Sequence, residues 1–140
     1  MVLSKEAADT LERRRAAIRE GGGADKLEAR HEKGQLGARE RLERLFSPGT
    51  FQESGAHVRH CATSFGLAGR EFPADGVITG TGFIGDLQVA AFSQDFTVCA
   101  GTLGKAHAEK MVRLMKYVQT QGVPLIAFQD SGGARIQEGV

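Results

Sequence analysis

Cysteine is scarce: Cys61 and Cys99 are the only two in 140 residues, and they stand apart without a C-x-x-C pair. A disulfide framework is therefore excluded, and reduced thiols in the cytosol are the default. No apolar stretch near the start could form a signal-peptide core, and none reaches the roughly 20 residues that span a bilayer. An excess of one charge is lacking too. Lys+Arg (18) nearly balance Asp+Glu (17), so the overall field gives no reason to expect nucleic acid or membrane as a partner. No internal repeat or low-complexity segment is visible. What remains is ordinary, 41% apolar and 25% charged, at a length that fits one domain. Glycine is the exception, with nineteen residues, most of them between positions 66 and 139. Such permissive positions suit tight turns and close backbone approaches of the kind found at ligand sites.

The pattern divides the chain into a helical segment, 1–50, and an α/β segment, 51–140, that breaks off within a structural unit. Residues 4–20 read as a charged surface helix with Ser4 as N-cap, Gly21 as stop and a thin apolar face of Ala7, Leu11 and Ile18. Gly21, Gly22 and Gly23 read as a flexible joint. Asp25 with Glu28 has the form of a capping box opening a helix through Lys33. Gly34 breaks it, and Ala38–Phe46 forms another turn or two that buries Leu42, Leu45 and Phe46.

From Phe51 the period changes. His57–Ala62 reads as a strand and Gly66–Gly76 as a loop. Val77–Ile84 and Leu87–Ser93 are strands joined at Gly85-Asp86, a dipeptide suited to a type II′ hairpin, and Phe96, Val98 and Cys99 extend the sheet. Ala106–Gln121 is the strongest helix, with Ala108, Met111, Met115 and Val118 on one face and Val112 and Leu114 at its edges. Gly122 caps it, Pro124 stops it, and Leu125–Phe128 is a short buried strand. Asp130-Ser131-Gly132-Gly133 then turns into a helix start at Ala134–Val140, too short to hold itself. Little hydrogen-exchange protection is expected after Phe128, and exposed strand edges should leave the isolated chain poorly packed or aggregating.

Several motifs fit by letter and not by context. Gly80-x-Gly82-x-x-Gly85 spells the dinucleotide fingerprint, but its third glycine opens a hairpin rather than a helix. Gly104-Lys105 lacks the hydroxyl residue and the upstream glycine of a phosphate-binding P-loop. His57 and His60 on a strand would face opposite sides, and with Cys61 they lack a fourth metal ligand. Met115-Lys116 lies in mid-helix, where a biotin-acceptor hairpin cannot form, and Cys99 has no histidine spaced to activate it. The stronger signal is the Gly132, Gly133, Ala134 turn. A strand, two glycines and a helix start gather free backbone N–H groups, and the helix dipole would favour an anion or a developing oxyanion there. The basic residues Arg30, Lys33, Arg39 and Arg41 could meet phosphates, or could form a solvated helix face.

Four blocks, KGQLGARERLERLFSPGTF (33–51), FPADGVITGTG (72–82), FSQDFTVCAGTLG (92–104) and FQDSGGARIQEGV (128–140), resemble the carboxyltransferase β subunits of propionyl-CoA and related short-chain acyl-CoA carboxylases. The resemblance runs in order from Gly21 onward. Gly37 stands where that family usually has Thr or Ser. The resemblance implies a crotonase-like β-β-α superhelix that holds acyl-CoA, with carboxybiotin held by a further domain and delivered by a biotin carboxylase or biotin carrier partner. It implies a ring-shaped hexamer and transfer of CO₂ to the α-carbon of the thioester, with biotin rather than a side chain or metal receiving the α-proton. The thioester oxyanion is then expected at Gly132, Gly133 and Ala134, helped by Ala100 and Gly101, and the CoA phosphates at Arg30, Lys33, Arg39 and Arg41. A decarboxylase subunit of the same family and a noncatalytic docking module are the other readings.

Overall fold

The run Val89-Ala90-Ala91-Phe92 contains no polar residue, which requires a strand covered on both faces. The structure, a computed structural model that describes residues 4–139, provides that cover. Four strands form one sheet in the order β1 (Gln52–Ser54), β2 (Val77–Ile84), β3 (Leu87–Gln94) and β4 (Leu125–Phe128). β2 pairs antiparallel with both β1 and β3, and β4 lies parallel to β3 with Ala90 opposite Leu125 and Ser93 opposite Phe128. Side chains alternate across β2 and β3. Ile78, Val89 and Ala91 meet Ala38, Leu42 and Phe46 of the helix α3 (Ala38–Leu45) and its cap. Val77, Ala90 and Phe92 meet Leu114 of the helix α4 (Lys105–Gln121). Before α3 come α1 (Lys5–Glu20), which buries no residue, and α2 (Ala24–His31). No described helix is long and apolar enough to cross a membrane.

The hairpin forms at Gly85, whose φ of 59° beside a negative φ at Asp86 is the type II′ arrangement. The other two glycines of the fingerprint pattern are packing devices. A Cβ at Gly82 would come within 2.7 Å of the Phe46 ring and one at Gly80 within 2.7 Å of Phe51, whose ring stacks on Phe46 at 5.2 Å.

Five expectations before residue 122 are corrected. His57–Ala62 is not a strand: Gly55 (φ 68°) ends β1, Val58 N–H closes a turn onto the Gly55 carbonyl, and His60 Nε2 bonds the Arg70 carbonyl at 2.8 Å. Phe96, Val98 and Cys99 do not extend the sheet, because the Asp95 carboxylate accepts the Thr97 N–H and hydroxyl and folds the chain into turns. Asp25 and Glu28 form no capping box; Gly23 is the N-cap of α2. The Gly21-Gly22-Gly23 joint is fixed rather than flexible. Gly22 N–H donates to Thr97 Oγ1 at 3.0 Å, and a Cβ there would overlap the Thr97 carbonyl. The last correction is to α4, which begins one residue early and is rotated from its expected phase. Its buried residues are Ala106, His107, Lys110 and Leu114, while Val112 and Met115 are exposed. Two polar residues displace the apolar stripe because carbonyls wait for them beneath the helix.

The C-terminal stretch also departs from expectation. No helix starts at Ala134; that residue pairs with Leu103 in a parallel bridge, and a single 3₁₀ turn follows at Ile136–Glu138. Val140, the expected end of that helix, lies outside the described residues. Gly132 N–H donates to the Ala100 carbonyl at 2.8 Å and Arg135 N–H to the Leu103 carbonyl at 2.9 Å. We expect hydrogen exchange to find these two amides protected and those of Ala100 and Ala134 fast. Uniformly fast exchange after Phe128 would restore the unpinned end that the sequence suggests.

Candidate active site

Two short turns of left-handed backbone frame the candidate site. In one, Ala74, Asp75 and Gly76 have φ of 51°, 49° and 73°; in the other, Cys99, Ala100 and Gly101 have φ of 46°, 51° and 60°. Such conformations cost non-glycine residues on the order of 1–3 kcal/mol each, so the surroundings must enforce them. The turns lean on each other, a Cβ at Gly76 falling 3.2 Å from the Val98 carbonyl.

A buried polar network holds the first turn. Lys110 donates its ammonium to the carbonyls of Ala74 (2.7 Å) and Val77. His107 Nδ1 lies 2.9 Å from the Asp75 carbonyl oxygen. Arg135, with a fully buried side chain, pairs with Asp75 Oδ1 at 2.5 Å, reaches the Thr102 carbonyl at 2.9 Å and Glu138 at 2.9 Å, and lies over the Phe72 ring. Burial pushes His107 down to about 4 and Lys110 down to about 8, so the histidine is neutral at pH 7 and most of the lysine is charged. Burial raises the Asp75 carboxyl against the opposing pull of Arg135. Through Arg135 and Thr102 the network connects the first turn to the second and to the glycine turn.

The glycine turn lies directly on the Cys99–Gly101 turn. Gly132 bonds Ala100, and a Cβ at Gly101 would overlap the Asp130 carbonyl. Of the expected donors, the structure occupies three. Gly132 N–H is bonded to Ala100 O, Gly133 N–H to Ser131 Oγ at 3.1 Å in an exposed contact, and Gly101 N–H to Val98 O. Ala100 and Ala134 N–H have no acceptor among the described residues. The bridge to Leu103 uses the Gly133 carbonyl and the Arg135 N–H and so turns the Ala134 N–H away. The helix expected to start at Ala134 is not there, so its dipole is absent too; the free N–H of Ala100 belongs to a left-handed turn and that of Ala134 to a bridge residue.

A cleft of about 790 Å³ borders the Cys99–Gly101 turn, lined by Lys26, Arg30, Lys33 and Arg70 and by Cys99, Ala100 and Asp130. A smaller cleft, about 310 Å³ between α1 and residues 56–59, contains none of the candidate donors. Of the four basic candidates, Arg30 and Lys33 line the larger cleft and Arg39 and Arg41 do not. Arg39 pairs with Glu53 at 2.8 Å, and Arg30 and Arg41 both hold Asp130 Oδ2. Lys33 has no acidic partner among the described residues. Arg30 also stacks over Phe96. Sequence reading missed Asp75, His107, Lys110 and the inward role of Arg135. The one available signal was that His107 and Lys110 stand three apart on the helix that carries Leu114 four residues further on.

A four-stranded mixed sheet with one crossover helix, and two adjoining turns of which one borders a basic cleft, define an α/β unit with a candidate site. Comparison with known proteins agrees. Residues 29–140 match the carboxyl transferase domain. The chain is 48% identical over 136 residues to the propionyl-CoA carboxylase beta chain of Cereibacter sphaeroides, covering 97% of this chain and 27% of that one. It is 44% identical over 139 residues to methylmalonyl-CoA decarboxylase subunit alpha of Propionigenium modestum, covering 99% and 27%. The crystal structure of transcarboxylase 12S, a hexamer solved with methylmalonyl-coenzyme A and methylmalonic acid bound, superposes with a TM-score of 0.94 at 43% identity, over 99% of this chain and 27% of that one. The chain belongs to the carboxyl transferase domain family, and its fold is crotonase-like. It spans about a quarter of the length of the relatives it matches.

Proposed function

We propose that this chain supplies the acyl-CoA half-site of a biotin-dependent carboxyltransferase, acting in the cytosol on a short acyl-CoA such as propionyl-CoA. The observation that carries the reading is the pair of N–H groups, Ala100 and Ala134, that lack an acceptor among the described residues and belong to two turns packed together, the first of which lines a basic cleft. The CoA phosphates lie along Lys26, Lys33, Arg30 and Arg70, which are cations of the right sign and spread over the cleft wall. The thioester oxygen sits between the two N–H groups, which stabilise the charge that develops as the α-proton leaves. Carboxybiotin, borne by a partner carrier, supplies the CO₂ and accepts the proton. Every role assigned to the present residues is to bind, orient and stabilise charge.

The complete site needs a second half that holds carboxybiotin. Holding both reactants together is where most of the rate arises, so the 140-residue chain alone should transfer no carboxyl group to propionyl-CoA. Grafted in place of the matching quarter of the Cereibacter sphaeroides beta chain, with the biotin carrier present, it should support transfer. There Lys33→Glu should raise KM for acyl-CoA several-fold at low salt and leave kcat nearly unchanged. Turnover by the chain alone overturns the half-site reading, and an unchanged KM removes Lys33 from the phosphate path. A second reading, decarboxylation of a carboxylated thioester at the same site, draws on the Propionigenium modestum relative. Assaying the graft in both directions separates the two. A noncatalytic docking module is what remains if the graft folds and assembles but turns over in neither direction.

A further inference from the structure

A carboxylate stands where the proposed reaction least tolerates one. Asp130 lines the same cleft as Ala100, two residues before Gly132, with its backbone carbonyl against Gly101 and its N–H donated to Gln94 Oε1 at 3.1 Å. Its charge would oppose a growing negative charge on a thioester oxygen held by the neighbouring turns. Two guanidiniums answer it at the same oxygen, Arg30 from α2 and Arg41 from α3, with side-chain exposures of only 11% and 17%.

These two partners are not equivalent. Arg30 is on the cleft wall and stacks on Phe96, so it can also touch a ligand. Arg41 is not on that wall, and Asp130 is its one side-chain partner among the described residues. A single arginine would already hold Asp130 in place by charge and hydrogen bonds. The second changes the sum: two cations against one carboxylate leave a net charge of +1. In a part-buried setting that surplus is screened less than a surface charge.

We infer that Arg41 is an electrostatic positioning residue for this reaction: together with Arg30 it converts Asp130 from a carboxylate that repels the thioester enolate into a fixed, net cationic cluster beside the Ala100 and Ala134 donors. The inference rests on the half-site reading proposed above and assigns it a long-range electrostatic part. Arg41 favours the transition state over the bound substrate because the negative charge appears only as the α-proton leaves.

The test is a set of variants in the grafted, assembled carboxyltransferase, with propionyl-CoA as substrate and assembly checked by gel filtration. Arg41→Met should lower kcat on the order of tenfold to a hundredfold with KM for propionyl-CoA almost unchanged, whereas Arg30→Met should also raise KM. Arg41→Lys, which keeps the charge, should retain most of kcat. The decisive variant is Arg41→Met combined with Asp130→Asn, which restores the net +1 through Arg30 alone. Kcat should recover there relative to Arg41→Met, whereas a merely structural ion pair predicts no recovery or a further loss. If Arg41→Met does not assemble, the double variant and Arg41→Lys still decide, because neither leaves the charge sum altered. No recovery in the double variant overturns the inference. Ala134→Pro measured in parallel separates the two levels. If it lowers kcat while Arg41→Met does not, only the electrostatic role falls; if neither changes kcat, the half-site reading falls with it.

Discussion

Ala134→Pro should lower kcat for transfer to the acyl thioester by about 10²–10³, the effect typical of losing one oxyanion donor, with KM for acyl-CoA and assembly nearly intact. The substitution is selective because of the bridge geometry. The two bonds joining residue 134 to Leu103 use the Gly133 carbonyl and the Arg135 N–H, so the atom that proline removes is the one without a partner. The donors act on charge that appears only during reaction, which is why the loss falls on kcat. Gly133→Val makes the complementary test. Gly133 has φ of 108°, where a β-branched residue is strained, and the position of its missing Cβ faces open space. A valine there should fill the space proposed for the thioester and abolish turnover. A folded Ala134→Pro enzyme with near-normal kcat removes Ala134 from this role. If both variants turn over normally, the turn is only a connector.

The second large effect is on stability. Arg135→Met should destabilise the chain by about 3–5 kcal/mol, the usual cost of leaving one member of a buried ion pair behind. Both side chains of the Arg135–Asp75 pair are fully buried, and Asp75 Oδ2 already lacks a partner, so losing Arg135 leaves neither carboxylate oxygen hydrogen-bonded among the described residues. The sign of the pH dependence makes this specific. Burial already raises the Asp75 carboxyl above its ordinary value, and removing Arg135 removes the leading opposing cause. In the variant the folded state therefore binds a proton at a pH where the unfolded chain does not. Its stability should increase as pH falls through the raised value and be lost as pH rises through it. Urea titrations at pH 5 and pH 8 should show the Arg135→Met deficit shrinking at the lower pH, after subtracting the change seen in the parent chain. The double replacement Arg135→Met with Asp75→Leu, leaving no charge behind, should cost less than the single one. A single variant within 1 kcal/mol of the parent at both values would mean that the pair contributes little.

Where one element decided its own fate, it was legible in sequence. The hairpin at Gly85 needs only a glycine at positive φ between two apolar strands, and the helix ended by Gly122 needs only its period and cap. The failures have a common cause. His57–Ala62 has strand composition, yet it has no neighbour to pair with once Gly55 turns the chain. The phase of α4 follows from carbonyls of the Ala74–Val77 turn, roughly thirty residues away, which select His107 and Lys110 over Met115. Ala134 was expected to donate from a helix, and it is a bridge residue because Arg135 is drawn inward by Asp75. The family resemblance pointed to the Ala100–Gly101 loop and the Gly132–Ala134 turn as candidates, whereas the left-handed backbone of the first and its buried supports required coordinates. The basic candidates divided for the same reason. A list of arginines carries no information about which of them meets a carboxylate a hundred residues later.

That last separation also has a consequence in time. Arg30 and Asp130 are 100 residues apart, and Gly22 waits 75 residues for Thr97. At a synthesis rate of about 5–20 residues per second, α2 leaves the ribosome about 5–20 s before the residue that anchors it exists. During that interval Arg30 has no carboxylate at position 130 to meet, and α2 must remain harmless without it. The composition of the leading helices fits the wait: α1 buries nothing in the finished fold, and the only residue α2 buries is Arg30 itself. The charge that makes this segment look like a solvated surface in sequence is what lets it stay unpaired until the rest of the site is made.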